Sequence, residues 1–241
     1  MAIKNIDYFG KIFNINYEII NPKYKQTIIF LHGWGSNKEI MKQAFSRYLI
    51  DFQHIYIDMP GFGKTQNNYI LTTKDYANII DIFLKSIDKD KSIIVGHSFG
   101  GKVATLLEPT NLILLSTAGI IEKKPLKIKC KIAMSKALGS LGLSHITKLL
   151  RSSDVDNMSY NMYETFKNVV DEDFSEIFKT FQNNCLIFWG KDDKAVNISS
   201  GYLLNDLITK SYLKVYKGDH YFFLNYSQDI CDIILNKINK I

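Results

Sequence analysis

A short apolar run that ends in a glycine-flanked serine is the feature that most constrains the fold of this 241-residue chain. The run Ser92–Val95 leads into Gly96-His97-Ser98-Phe99-Gly100, which matches the pattern G-x-S-x-G. A turn that passes directly from a strand into a helix leaves no space for a Cβ two residues before or after the serine, which explains the two glycines. We therefore predict a strand, a tight turn and a helix, with the Ser98 hydroxyl presented at the end of a strand.

Strand-like and helix-like patterns alternate from residue 27 onward. The strand-like runs are short, rich in β-branched or aromatic residues and apolar on both faces, as in a parallel sheet covered by helices. They are Thr27–Leu31, Ile55–Asp58, Ser92–Val95, Leu112–Leu115, Leu186–Trp189 and Tyr212–Tyr216, and a hairpin is predicted over Tyr8–Ile20. Helices are predicted at Asn37–Leu49, Thr72–Ile87, Phe99–Leu107, Ser199–Ile208 and Gln228–Ile238. This order predicts an open, doubly wound α/β sheet.

One stretch, at about 119–182, breaks the alternation. It is amphipathic and helix-like and contains no clear strand, although residues 126–132 alternate with the period of a strand. We interpret it as an insertion into a single domain that spans residues 1–241. Because ligands of open α/β sheets bind at the carboxyl ends of the strands, the insertion is expected to cover that edge.

A serine hydroxyl needs a base to become a nucleophile, and the chain has five histidines. His220 follows the last predicted strand and lies on a loop at the same edge of the sheet as Ser98. His32 is expected to be a packed turn residue, and His97, next to Ser98, is expected to point to the opposite side. We therefore predict that His220 is the base.

An acidic residue that orients this base is expected after the preceding strand. That strand ends in Gly190-Lys191-Asp192-Asp193, and either aspartate could accept a hydrogen bond from His220 Nδ1–H. The other aspartate would then be a solvated turn residue or a helix N-cap. The chain order serine, aspartate, histidine differs from the orders in chymotrypsin and subtilisin.

The sequence His32-Gly33-Trp34-Gly35 follows the first long strand. Its turn is expected to bring the Trp34 N–H beside the Phe99 N–H, so that both bind the oxyanion of a tetrahedral intermediate. A plain glycine turn is the alternative interpretation. The next such turn, Asp58-Met59-Pro60-Gly61-Phe62-Gly63, is interpreted as structural.

Composition excludes several classes of protein. The net charge of +6 comes from one segment, residues 119–151, which has eight basic residues and a single acidic one, so it gives no general indication of nucleic-acid binding. No apolar run approaches the ~18 residues of a membrane span. Three scattered cysteines without C-x-x-C spacing predict free thiols and a cytoplasmic location. No cofactor or metal is expected.

Taken together, the motifs around Trp34, Ser98, Asp193 and His220 resemble those of the α/β-hydrolase superfamily over nearly the whole chain. The resemblance implies a mostly parallel eight-stranded sheet flanked by helices, with a mobile helical cap formed by the insertion. It also favours Asp193 over Asp192, since the acid of this superfamily commonly lies three residues after such a glycine. The opening motifs resemble both carboxylesterases of the biotin pathway and carbon–carbon hydrolases of meta-cleavage pathways.

These features predict a serine hydrolase that cleaves an ester or a thioester of a small acyl substrate. Hydrolysis of a carbon–carbon bond is the first alternative, although Tyr221 stands where those enzymes usually have a tryptophan. A binding protein without catalytic activity is the second. The basic residues of the insertion are either solvated surface or a patch that recruits an acidic carrier protein or an anionic substrate: Lys123, Lys124, Lys127, Lys129 and Lys131.

Overall fold

The computed structural model describes residues 1–121 and 158–238. Eight strands form one sheet in the order β1-β2-β4-β3-β5-β6-β7-β8. Strands β3 to β8 are parallel to one another, whereas β1 and β2 form an antiparallel hairpin that pairs with β4. The strands are Ala2–Tyr8, Lys11–Ile20, Thr27–Leu31, Gln53–Ile57, Ile93–His97, Asn111–Leu115, Asn184–Gly190 and Ser211–Tyr216. The mostly parallel eight-stranded sheet predicted from the sequence is confirmed.

Seven α-helices flank the sheet in the described parts of the chain. They are α1 (Lys38–Phe45), α2 (Thr73–Ser86), α3 (Phe99–Leu106), α4 (Tyr160–Val170), α5 (Ser175–Thr180), α6 (Ile198–Leu207) and α7 (Ser227–Ile238). Helix α2 begins with a capping box, in which Thr72 and Asp75 each accept from the other's backbone N–H. Each of the five predicted helices is present, with ends displaced by a few residues.

Alternate residues of the parallel strands point to opposite faces and build two cores. One face, with Ile29, Ile94 and Ile187, packs against α2, α3 and α6. The other, with Phe30, Val95 and Phe188, packs against α1 and α7. All residues of β3, β4 and β5 are buried, which explains why these strands read as continuous apolar runs.

The hairpin differs from the prediction at its start. It begins at Ala2 rather than Tyr8, and its turn lies at Phe9-Gly10. Four of the seven β1 residues are exposed, since this strand lies at the edge of the sheet, so its apolar signal is weak.

The described part of the insertion, residues 158–182, contains α4 and α5. The eight basic residues of segment 119–151, together with Cys130 and His145, lie outside the described residues. Within those residues, no helix is both long enough and apolar enough to cross a bilayer.

Candidate active site

Ser98 lies in the sharp turn between β5 and α3. Its backbone has φ +51° and ψ −115°, a conformation that residues with a side chain rarely adopt. A Cβ on Gly100 would lie 2.5 Å from the carbonyl oxygens of both Leu31 and His32, and one on Gly96 would lie 2.5 Å from the Gly100 carbonyl oxygen. Close backbone packing therefore requires both glycines and holds the serine in its strained position.

The structure brings His220 and Asp193 together from two different loops. Asp193 follows β7 and His220 follows β8, and His220 Nδ1 lies 2.7 Å from Asp193 Oδ2. Gly190 makes this approach possible, because any Cβ there would collide with the carbonyl oxygens of Gly218 and Asp219. Asp192 is exposed and contacts the Gly218 backbone instead, so the structure pairs His220 with Asp193.

Asp193 is buried and its carboxylate is held on both sides. Oδ1 accepts hydrogen bonds from the N–H groups of Ala195 (2.8 Å) and Val196 (3.0 Å), while Oδ2 faces His220. Burial acts to raise the pKa of Asp193, but the hydrogen bonds from His220 and the Val196 N–H outweigh it and the pKa is lowered. The carboxylate thus stays ionised, and as an acceptor it requires the proton of a neutral His220 to be on Nδ1.

Two backbone donors lie beside Ser98. Phe99 is the first residue of α3, and Trp34 follows Gly33, whose added Cβ would lie 3.2 Å from Ser98 Cβ. Neither the Trp34 N–H nor the Phe99 N–H donates a hydrogen bond within residues 1–121 and 158–238. Two unused N–H groups next to a hydroxyl form a site that suits a negatively charged oxygen.

His32 fixes the turn that carries Trp34. Its Nδ1 lies 2.7 Å from the Gly33 carbonyl oxygen, and its Nε2 accepts from the Met59 N–H at 3.1 Å. These partners require Nδ1 to carry the proton, and burial lowers the pKa of His32 to about 4. Because the Gly33 carbonyl and the Trp34 N–H belong to one planar peptide, this hydrogen bond also orients the donor.

His97 is a residue whose contribution the sequence analysis missed. Its ring packs on Phe223, on the other face of the sheet as expected, but its Nε2 also lies 3.0 Å from the His220 carbonyl oxygen. The His97 and His220 ring centroids are 4.6 Å apart. Burial and the neighbouring His220 lower the pKa of His97 to about 3, so a neutral imidazole donates to the His220 backbone. In the sequence, the position of His97 directly before Ser98 was the feature that could have indicated a contribution to the site.

A cavity of about 650 Å³ opens at Ser98. Its wall is mainly apolar and includes Trp34, Phe99, Phe166 and Val169, of which the last two belong to α4. The described part of the insertion therefore contributes to the wall of the cavity at Ser98. Lys102 and Glu172 also line the cavity, and the sequence analysis did not identify either of them.

Comparisons with known proteins agree with this geometry. Residues 26–109 match a sequence family described as alpha/beta hydrolase fold. The pimeloyl-[acyl-carrier protein] methyl ester esterase of Proteus mirabilis is 34% identical over 96 residues, which are 39% of this chain. The matched stretch spans only 36% of the length of that relative.

Solved structures extend the likeness to the whole chain. The esterase EaEST from Exiguobacterium antarcticum superposes with a TM-score of 0.77 at 20% identity, covering 99% of this chain and 100% of its own. The meta-cleavage product hydrolase CumD from Pseudomonas fluorescens superposes with a TM-score of 0.70 at 21% identity, covering 98% and 97%. The chain therefore has the alpha/beta-hydrolase fold, which its motifs predicted.

Proposed function

We propose that this protein is a serine hydrolase that cleaves a carboxylic ester or a thioester through an acyl-enzyme intermediate. Ser98 is the nucleophile, His220 the base and Asp193 the residue that orients the base. The N–H groups of Trp34 and Phe99 bind the oxyanion. The observation that carries this proposal is the 2.7 Å hydrogen bond between His220 and Asp193, which joins two loops at the edge of the sheet where Ser98 lies.

In the first half of the reaction, His220 Nε2 takes the proton of the Ser98 hydroxyl while Oγ attacks the carbonyl carbon of the ester. The carbonyl oxygen becomes an oxyanion and accepts hydrogen bonds from the two backbone N–H groups. The intermediate then collapses, the bond to the alcohol or thiol breaks, and the leaving group receives the proton from His220. Asp193 stabilises the imidazolium that exists between these transfers.

In the second half, a water molecule replaces the leaving group. His220 takes a proton from the water as its oxygen attacks the acyl carbon, and a second oxyanion forms in the same place. Collapse of this intermediate returns the proton to Ser98 Oγ and releases the carboxylic acid. The enzyme ends each cycle unchanged, and no cofactor takes part.

The proposal includes an acyl substrate carried by an acidic protein. The printed name of the Proteus mirabilis relative gives its substrate as an ester of pimeloyl-[acyl-carrier protein]. The basic residues of the insertion offer complementary charge to such a carrier. Reversing the charge of Lys123, Lys124 and Lys127 should lower kcat/KM for a carrier-bound ester at low salt and leave a small neutral ester unaffected. If charge reversal changed kcat/KM equally for both substrates, the basic residues would be ordinary solvated surface.

A panel of esters and thioesters, with products identified by mass spectrometry, tests the reaction class. We expect turnover by the wild-type protein and none by Ser98→Ala. The panel should also contain a dienoate product of aromatic ring cleavage. Faster turnover of the dienoate than of every ester would favour the carbon–carbon hydrolase predicted as the alternative. Tight binding of these compounds without any turnover would favour a binding protein.

A further inference from the structure

An ion pair between a buried lysine and a glutamate whose side chain is 29% exposed lies in the wall of the cavity that opens at Ser98. Lys102 lies on α3 and its side chain is 1% exposed, and its Nζ lies 2.8 Å from Glu172 Oε2. The same ammonium donates to the Val169 carbonyl oxygen at 2.5 Å and stands 4.8 Å from the centre of the Phe174 ring. Both members of the pair line the cavity.

A charged pair is a costly way to build a wall of this kind. Replacing a buried ion pair by apolar side chains of similar volume is often neutral or stabilising, because the desolvation of two charges offsets their attraction. Apart from the pair, the lining contains two further charged residues, Asp171 and Lys194, and is otherwise apolar except for Ser98, with Val169 next to the pair. Fold stability alone therefore does not explain why this wall contains a lysine and a glutamate.

The pair retains unused hydrogen-bonding capacity. An ammonium has three N–H groups, of which two are used, for Glu172 and for Val169. Glu172 Oε2 accepts from Lys102 and from the Thr73 hydroxyl, while Oε1 accepts no hydrogen bond from the part of the chain that the structure describes. Among the described residues, one Lys102 N–H and Glu172 Oε1 therefore have no hydrogen-bond partner, and the charges of the two side chains cancel.

We infer that the Lys102–Glu172 pair recognises a neutral hydrogen-bonding group, a hydroxyl or an amide, on the acyl chain of the substrate. This inference rests on the proposed hydrolase function and narrows its substrate class. Such groups contain an acceptor for Lys102 and a donor for Glu172. A free carboxylate is disfavoured, because it would meet the charge of Glu172 and has no proton to donate.

The position of Lys102 sets where that group lies. Ser98 and Lys102 are four residues apart along α3, and a rise of 1.5 Å per residue separates them by about 6 Å along the helix axis. An acyl chain of about six carbons that extends from Ser98 along α3 is comparable in length to this separation. Methyl 6-hydroxyhexanoate is the simplest ester that meets this condition, and methyl hexanoate is its apolar counterpart.

The test compares kcat/KM for these two methyl esters and for monomethyl adipate. For the wild-type protein we expect the hydroxy ester to be preferred over methyl hexanoate by about tenfold or more, since hydrogen bonds to charged groups contribute about 1.5–3 kcal/mol. We expect monomethyl adipate to be the poorest of the three. Replacing the pair, by Lys102→Met together with Glu172→Leu, should reverse the preference in favour of methyl hexanoate.

A matched control removes a different ion pair. Lys42→Met together with Glu18→Leu deletes the pair between α1 and β2 (2.6 Å), which does not line the cavity, and should keep the preference. The readout is a ratio for two substrates, so it does not depend on the fraction of folded enzyme. Should the double variant at the cavity fail to fold, Glu172→Gln is expected to weaken the preference while preserving the shape of the wall.

Equal kcat/KM values of the wild-type protein for the hydroxy ester and methyl hexanoate would overturn this inference alone. The inference would also be overturned if monomethyl adipate were the best of the three substrates. It would be overturned as well if the cavity variant and the control variant showed the same preference between the two esters. Hydrolysis of no ester at all would overturn the proposed function, and the inference with it.

Discussion

The two sides of the candidate site are built in different ways. On the side of Ser98, the turns after β3 and β5 pack backbone against backbone, and the neutral His32 holds the Gly33 carbonyl group. On the other side, His220 and Asp193 meet through a hydrogen bond between side chains, and 15% of the His220 side chain is exposed. Close backbone packing therefore shapes the turn that carries Ser98, whereas a hydrogen bond between side chains orients the ring of the base.

This difference teaches which changes should affect folding and which should affect only chemistry. A Cβ added at Gly96 or Gly100 collides with main-chain atoms, so it should cost stability. Substitution of His220 or Asp193 should lower catalytic activity, because it removes a polar contact of the base, and should leave the packing of the sheet intact. The predictions below use this contrast, beginning with the largest effect.

Removing the Ser98 hydroxyl should abolish turnover. In enzymes with a serine triad, loss of the nucleophile lowers kcat by about 10⁶-fold, and we expect a comparable loss for Ser98→Ala. An ester assay by mass spectrometry measures it, and thermal unfolding should show a stable protein. Residual turnover near the wild-type level would contradict the role of Ser98.

Asp193→Asn should lower kcat by about 10⁴-fold, because an amide neither holds the correct tautomer of His220 nor stabilises the imidazolium. Asp192→Asn is the matched control, since Asp192 is exposed and contacts only backbone in the described structure. We expect normal ester turnover from this control. Similar losses for both variants would mean that the 2.7 Å contact of Asp193 has no special role.

Gly100→Ala should destabilise the fold by about 3 kcal/mol, because its Cβ would overpack main-chain atoms of the turn after β3. Gly10→Ala is the control: it has φ +75° but no atom within 4 Å of an added Cβ, so only about 1 kcal/mol of backbone strain is expected. Unfolding in urea measures both free energies. Equal losses would contradict the claim that close packing, rather than backbone conformation, shapes the serine side.

Acid should weaken the fold through His32 and His97. Their pKa values in the folded protein are lowered to about 4 and about 3, from the usual 6.5. As the pH falls below 6.5, the unfolded chain therefore takes up protons that the folded protein does not. Stability is fully present above this pH and is lost below it, by about 1.4 kcal/mol per pH unit for each histidine.

Urea unfolding at a series of pH values measures this slope. His97→Gln keeps an N–H donor but does not titrate, so the slope between about pH 6 and pH 4.5 should fall by about 1.4 kcal/mol per pH unit. An unchanged slope would mean that His97 does not contribute to it.

Much of this architecture was predictable because its signals are local. Strands buried on both faces read as apolar runs, and G-x-S-x-G identifies a turn that Gly96 and Gly100 alone permit. The start of β1 was missed because this edge strand is mostly exposed and only Ile6 and Tyr8 are buried, which leaves too short an alternating pattern. The choice of Asp193 over Asp192 came from the superfamily resemblance, since neighbouring aspartates in a loop give no local signal of which one meets His220.

The contacts that escaped prediction join residues far apart in the chain. His97 meets the His220 backbone across 123 residues, and Lys102 meets Glu172 across 70. No short-range pattern encodes such pairs. One signal was available for Lys102, which is the only charged residue of α3, a helix whose first seven residues are all buried. A lysine that continues an apolar surface one turn after Ser98 indicates a buried charge near the site.

Labelling with a fluorophosphonate, which reacts with serines activated as nucleophiles, tests the central claim most directly. Peptide mapping by mass spectrometry should locate the label on Ser98, with none on Ser98→Ala and much slower labelling of His220→Ala. A folded wild-type protein that hydrolyses esters yet carries no label on Ser98, or carries it on a different serine, would contradict the account.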